Sequence, residues 1–154
     1  MFLLHPIIVH FAIALLSVAV IADLLYLVTR KQNFWQLTNL MLLIGILSAL
    51  IAVITGNQAF QVVNVPEGTK PLVLSHQLSG QITLGLFLAV GILRWVFIRL
   101  KLFANPVKWI YYLLLIAASF FLFRTGVLGG EMVYIHGVGT KKESVKPAAK
   151  PSFQ

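Results

Sequence analysis

Four long apolar runs constrain this chain more than any other feature of its sequence. They lie at residues 6–28, 37–55, 78–97 and 107–128, and a helix needs roughly 20 residues to cross a bilayer. Lipid offers no water to the backbone, so segments of this kind satisfy their hydrogen bonds internally as helices. The sequence therefore predicts an all-α membrane protein, a four-helix bundle threaded up-down-up-down.

The composition supports a membrane protein over a soluble one. Hydrophobic residues make up 59% of the chain and charged residues only 10%, whereas soluble domains carry about 25% charged residues. The net charge of +8 does not indicate nucleic-acid binding, because the basic residues gather at the ends of the apolar runs and in the C-terminal tail. The chain has no cysteine, which excludes disulfides, iron–sulfur clusters and thiolate metal sites within it.

The domain plan and the orientation follow from the same pattern. Residues 1–136 form the membrane domain, and we expect the polar, proline-rich segment 137–154 to be a disordered tail. No basic residue precedes Arg30, which favours a retained first helix over a cleaved signal peptide. Gly56-Asn57 is expected to end the second helix, and a small interfacial element is expected within residues 57–75. Basic residues of the two short loops place both termini outside the cytoplasm. No internal repeat stands out.

This threading brings all four histidines, His5, His10, His76 and His136, to one membrane face. A five-residue step rotates by about 140° around a helix, so His5 and His10 need not share one ligand. We expect His10 and His76 to form an inner pair, and His5 and His136 an outer pair nearer the headgroups. The alternative is structural, since a neutral imidazole can also donate to a carbonyl of another helix.

Haem b is the cofactor that this histidine pattern favours. It needs axial histidines in an apolar pocket and a positive partner for its propionates, and Arg124 supplies that partner near the same end, facing the bundle interior. Glu131 is the alternative partner of Arg124. Copper and zinc also bind imidazole, so a bare-metal site on the four histidines stays open. Toward the other end, Asp23 and Arg94 are predicted to form an ion pair, with a snorkelling arginine as the alternative.

Several short stretches together resemble one known family. They are HPIIVHF at 5–11, TG at 55–56, His76 at the start of the third run and GGEMVYIHGVG at 129–139. These stretches are similar to the prokaryotic family catalogued as domain of unknown function 2231, predicted four-helix membrane proteins, over all of the chain except the tail. Ala12 stands where that family often has proline. The residues that match the family's pattern are His5, His10, His76, His136, Gly129 and Gly130.

The resemblance implies membrane redox work. Relatives occur as fusions or neighbours of Rieske-type and c-type cytochrome modules, so it implies a subunit of a redox complex in a prokaryotic inner or thylakoid-like membrane. Together with the histidines, this predicts a b-type cytochrome-like electron-transfer protein that binds one or two haems and exchanges electrons with a quinone or another redox subunit.

Two other classes remain open beside this prediction. One is a membrane module that holds copper or zinc through the histidines, and the other is a cofactor-free accessory or assembly subunit. An electron carrier fits the chain better than a hydrolytic or transferase enzyme, because the sequence offers no nucleophile–base–acid set.

Overall fold

Four long helices dominate the computed structural model, which describes residues 4–63 and 65–140. Each of them is long and apolar enough to cross a membrane, which confirms the predicted all-α fold. Most of the predicted tail, residues 141–154, lies outside the described residues. A 3-10 turn at Leu102–Ala104 precedes the fourth helix and a π-helical turn at Glu131–Ile135 continues it. The helices are α1 (Leu4–Thr29), α2 (Gln32–Val62), α3 (Lys70–Arg99) and α4 (Lys108–Gly130).

The helices form two antiparallel hairpins, α1–α2 and α3–α4, that pack on a shared core. In the first hairpin the backbones approach closely at Gly45, where an added Cβ would lie 2.6 Å from Leu16 Cδ2. Small residues at such points let membrane helices pack tightly. The central core combines side chains from all four helices: Leu16, Leu42, Phe87, Val90, Leu115 and Ala118.

The two ends of the bundle carry different polar groups. The start of α1 lies beside the end of α2, and the start of α3 lies beside the end of α4, as contacts of His5 and His76 show. We call this the histidine end. The opposite end holds Asp23 and Arg94 and is called the ion-pair end. This arrangement agrees with the predicted up-down-up-down threading.

The second and third helices are longer than the sequence pattern predicts. α2 continues through Gly56-Asn57 to Val62, so the predicted stop at residue 55 is wrong. A glycine inside a helix costs only about 1 kcal/mol, and the Asn57 side chain is held by Gln77, whose Nε2 donates to Asn57 Oδ1 at 2.7 Å. α3 already begins at Lys70. The predicted interfacial element at 57–75 is therefore replaced by two helix ends and a short link.

The predicted ion pair between Asp23 and Arg94 is confirmed and is buried. Arg94 Nη1 donates to Asp23 Oδ1 at 2.8 Å, with the two side chains 3% and 0% exposed. The Tyr111 hydroxyl donates to Asp23 Oδ2 at 2.6 Å, and Arg94 Nε donates to Asn39 Oδ1 at 2.6 Å. The guanidinium carbon lies 4.2 Å from the Trp35 ring centroid. One charged cluster thus links all four helices and fixes how each is rotated.

Removing one partner of this pair is expected to destabilise the bundle strongly. Asp23→Ala leaves Arg94 charged and buried without a counter-ion, a change that typically costs about 3–5 kcal/mol. Equilibrium unfolding in detergent micelles measures the loss. The double variant Asp23→Leu/Arg94→Leu should lose less, because apolar side chains replace both charges. A single variant that is as stable as the double variant would contradict this role for the pair.

Candidate functional site

His5 is held on α1 by a threonine of α2. Its Nδ1 lies 3.2 Å from Thr55 Oγ1. The Thr55 hydroxyl has one proton, which is directed at carbonyls of its own helix, 2.8 Å from the oxygen of Ile51 and 3.1 Å from that of Ala52. Toward His5, Thr55 therefore acts as the acceptor and the imidazole Nδ1–H donates. In the neutral ring this leaves Nε2 unprotonated, with a free lone pair.

His76 is held in the same way on α3 by a residue of α4. Its Nδ1 lies 3.1 Å from the carbonyl oxygen of Thr125, and a carbonyl can only accept, so Nδ1 carries the proton. The Thr125 hydroxyl donates to the Phe121 carbonyl at 2.8 Å and contacts the hydroxyls of Ser79 at 2.9 Å and Thr83 at 3.1 Å. The hydrogen bonds that hold His5 to Thr55 and His76 to Thr125 are both made through Nδ1.

Each imidazole lies against a glycine of the neighbouring helix. A Cβ added at Gly56 would lie 2.9 Å from His5 Cε1, and one added at Gly129 would lie 3.1 Å from His76 Cε1. Both contacts are closer than ordinary packing allows, so a side chain at either position would displace a ring. The backbones of Gly56 and Gly129 therefore pack directly against the two imidazole rings.

The ion pair between Asp23 and Arg94 explains why the His5 and His76 rings both face the inside of the bundle. His5 precedes Asp23 by 18 residues, and His76 precedes Arg94 by 18 residues. At 3.6 residues per turn this is five full turns, so each histidine lies on the same face of its helix as its ion-pair residue. His5 and His76 therefore both face the inside of the bundle at the histidine end, His5 beside α2 and His76 beside α4.

His10 lies on a different side of α1 from His5. Its side chain is exposed, and its Nδ1 lies 2.5 Å from the carbonyl oxygen of Pro6 in its own helix. The rotation of about 140° between His5 and His10 accounts for this, because only one of the two can face the bundle interior. The structure therefore turns His5, rather than the predicted His10, toward the inside of the bundle.

His136 and Arg124 also differ from their predicted surroundings. His136 is exposed beyond the π-helical turn, and its Nε2 lies 3.8 Å from Glu131 Oε1, so its neighbour is a carboxylate and not the predicted His5. Arg124 is exposed, and the predicted interior orientation is wrong. Thr125 faces α3, and consecutive residues of a helix are about 100° apart, which turns Arg124 outward. In the described part of the chain Glu131 pairs with His136 and not with Arg124.

Sequence reasoning missed three hydroxyl residues of the site. Thr125, Ser79 and Thr83 form the polar cluster beside His76, and Ser79 and Thr83 are buried. A signal was present, because Thr-Gly occurs twice in the chain, at 55–56 and 125–126, each time in the last part of a helix that runs toward the histidine end. Ser79 and Thr83 are also four residues apart and so share one helix face.

The site offers two neutral nitrogen donors and no larger set of metal ligands. Among the residues that the structure describes, no group of three or more histidine, aspartate or glutamate side chains is placed to hold a metal ion. The surroundings are apolar helices, and the hydroxyls nearest the rings are engaged with backbone carbonyls.

The four membrane-length helices define a multi-pass integral membrane protein. The chain belongs to the family described as Predicted membrane protein (DUF2231), whose family model matches residues 2–142. This confirms the resemblance seen in the histidine and glycine motifs. Comparisons with curated proteins and with solved structures found no match.

Loss of the Thr55 acceptor is expected to free the His5 ring. In Thr55→Val the Nδ1–H loses its partner, and a hydrogen bond of about 1 kcal/mol corresponds to a roughly fivefold change in the ratio of the two neutral tautomers. Imidazole ¹⁵N chemical shifts measure this ratio. Thr55→Ser should keep the wild-type ratio, and His76 provides an internal reference that should not change. An unchanged His5 ratio in Thr55→Val would contradict the assigned tautomer.

Alanine at Gly56 and at Gly85 should have different effects. Nothing lies within 4 Å of a Cβ added at Gly85, so Gly85→Ala should stabilise its helix by about 1 kcal/mol through helix propensity alone. Gly56→Ala should gain less, because the methyl group displaces the His5 ring. Unfolding measurements and the His5 ¹⁵N shift test both statements. An equal gain with an unmoved ring would show that Gly56 does not position His5.

Proposed function

We propose that this protein is a b-type cytochrome-like electron-transfer protein of the membrane, in which His5 and His76 hold the iron of one haem b. The observation that supports this is the pair of imidazoles on two different helices, each held to the neighbouring helix through its Nδ1, which in the neutral ring leaves Nε2 unprotonated. Metal-bound histidines commonly use this division, in which one nitrogen binds the metal while the other donates to a fixed acceptor. The acceptors here are Thr55 and the Thr125 carbonyl.

The number of protein donors favours haem over a bare metal ion. Haem brings four nitrogens of its own, so the protein needs to supply only the axial ligands. Zinc sites use three or four protein ligands, and no such group is gathered within the described residues. A copper or zinc module therefore has less support than haem, although the same two histidines would be its ligands.

One haem fits the chain better than two. His10 and His136 already have partners in the described structure, a carbonyl of the same helix and a carboxylate, and both are exposed. They do not form a second pair of free, facing imidazoles. The proposed ligands of the cofactor are thus His5 and His76, and the predicted roles of His10 and His136 as ligands are not part of the proposal.

Each residue around the proposed haem has a distinct task. The bound haem would supply reversible one-electron storage. Thr55 and Thr125 hold the tautomers that present Nε2, and Gly56 and Gly129 leave room for the rings. Arg124 is exposed on α4 beside Thr125, so it would neutralise a propionate only where the propionate reaches the surface of the bundle.

The proposed partners follow from the position of the site. Both ligands lie at the histidine end, so electrons would enter and leave at one membrane face and would not cross the bilayer. A quinone in the lipid or another redox subunit, of cytochrome or Rieske type, would exchange them. The sequence predicts this face to be the outer one.

A visible spectrum of the purified protein tests the proposal. We expect dithionite to produce the sharp reduced α-band of a six-coordinate b haem. His5→Ala and His76→Ala should each remove this low-spin signature, whereas the matched variants His10→Ala and His136→Ala should retain it. Elemental analysis in parallel reports copper and zinc.

Each other result points to a different class. A protein without haem but with stoichiometric copper or zinc would replace the haem assignment by the metal module. A protein with neither, whose histidine variants impair only assembly, would be an accessory subunit. Retention of the low-spin band in His5→Ala/His76→Ala would overturn the assigned ligands.

A further inference from the structure

The backbone repeats an unusual conformation in the two hairpins. Within the described residues, Arg30 and Lys101 are the non-glycine residues with positive φ, at 57° and 56°. They are 71 positions apart, and each lies just beyond the first helix of its hairpin. A left-handed residue commonly ends a helix at this place, but it is usually glycine. Two basic residues with the same rare conformation at equivalent positions indicate a repeated unit.

The same spacing relates the functional side chains and the core of α1 and α3. His76 follows His5 by 71 positions, and Arg94 follows Asp23 by 71 positions. Four of the five buried residues of α1 have a buried counterpart at this spacing. The pairs are Ala12 with Thr83, Leu16 with Phe87, Ala19 with Val90, and Asp23 with Arg94.

The second helices repeat the imidazole support. Thr55-Gly56 on α2 and Thr125-Gly126 on α4 are 70 positions apart. Each threonine holds the histidine of its own hairpin, by its hydroxyl in the first and by its carbonyl in the second. A hairpin is therefore one unit with a histidine at the start of its first helix and a threonine near the end of its second.

We infer that the chain is a duplicated hairpin whose two copies build one shared ligand site on a pseudo-two-fold axis along the bundle. Asp23 and Arg94 occupy equivalent positions and yet touch each other, and equivalent residues can touch only beside the axis that relates them. His5 and His76 lie five turns away on the same helix faces, so they also face the axis. The site takes a single metal centre that binds one neutral imidazole nitrogen from each hairpin.

The opposite charges of Asp23 and Arg94, at equivalent positions of the two hairpins, favour the association of one hairpin of each kind. Two first hairpins would place Asp23 against a second aspartate, and two second hairpins would place Arg94 against a second arginine. Burying like charges together is strongly unfavourable, so the pair selects the association of unlike hairpins. The identity of the metal centre as haem iron rests on the proposed function, whereas the shared site does not.

The absence of cysteine from the chain permits a direct test of the shared site that needs no haem. The variant His5→Cys/His76→Cys, with a protease site inserted at the exposed Glu67-Gly68 turn, is treated in membranes with a short bifunctional thiol reagent and then cleaved. We expect the two halves to stay joined on a denaturing gel. The matched variant His10→Cys/His76→Cys should separate into halves, because His10 faces away from the axis.

A second measurement separates this inference from the proposed function. The haem content of the wild-type protein should be one per chain, and His5→Ala and His76→Ala should lose the low-spin signature to the same extent. Halves that separate in His5→Cys/His76→Cys, equal cross-linking through His10, or two haems per chain would overturn the shared site. Joined halves in a protein without haem would support the shared site and overturn only the haem assignment.

Discussion

The buried ion pair between Asp23 and Arg94 governs the rest of the structure. An isolated charge inside a membrane is unfavourable, so each of the two residues must face the other. This requirement fixes the rotation of α1 and α3, and hydrogen bonds from Tyr111 and to Asn39 extend it to α4 and α2. Five helical turns away, the same rotation points His5 and His76 into the bundle. The ion pair at one end of the bundle therefore determines which histidine side chains face the interior at the other end.

At the histidine end, one nitrogen of each of the His5 and His76 rings is hydrogen-bonded to a neighbouring helix. Thr55 and Thr125 engage one nitrogen of each ring, and Gly56 and Gly129 pack against the rings without a side chain between. What remains is one free lone pair on each imidazole. In a neutral ring, a hydrogen bond donated by Nδ1 leaves Nε2 unprotonated, and this is the form that a metal ligand requires.

Sequence reasoning predicted the ion pair and the four helices, but it expected His10, which is exposed, to be an inward-facing residue. It judged His10 by its depth in the apolar run, and depth does not tell which way a side chain faces. The 18-residue spacing from His5 to Asp23, and from His76 to Arg94, carried that information in the sequence itself. The predicted end of α2 at residue 55 was also wrong. Gly56 was interpreted as a helix stop, but it lies inside α2 and packs against the His5 ring of α1.

The sequence by itself determined the number of helices, the membrane character of the chain and the helix on which each polar residue lies. These follow from hydropathy and length, which act along a single segment. Only the tertiary structure decided which histidine of α1 faces the inside of the bundle and which residue accepts a hydrogen bond from each ring. Rotation about a helix axis and the choice of hydrogen-bond acceptor depend on contacts between helices, here between residues 49 or more positions apart.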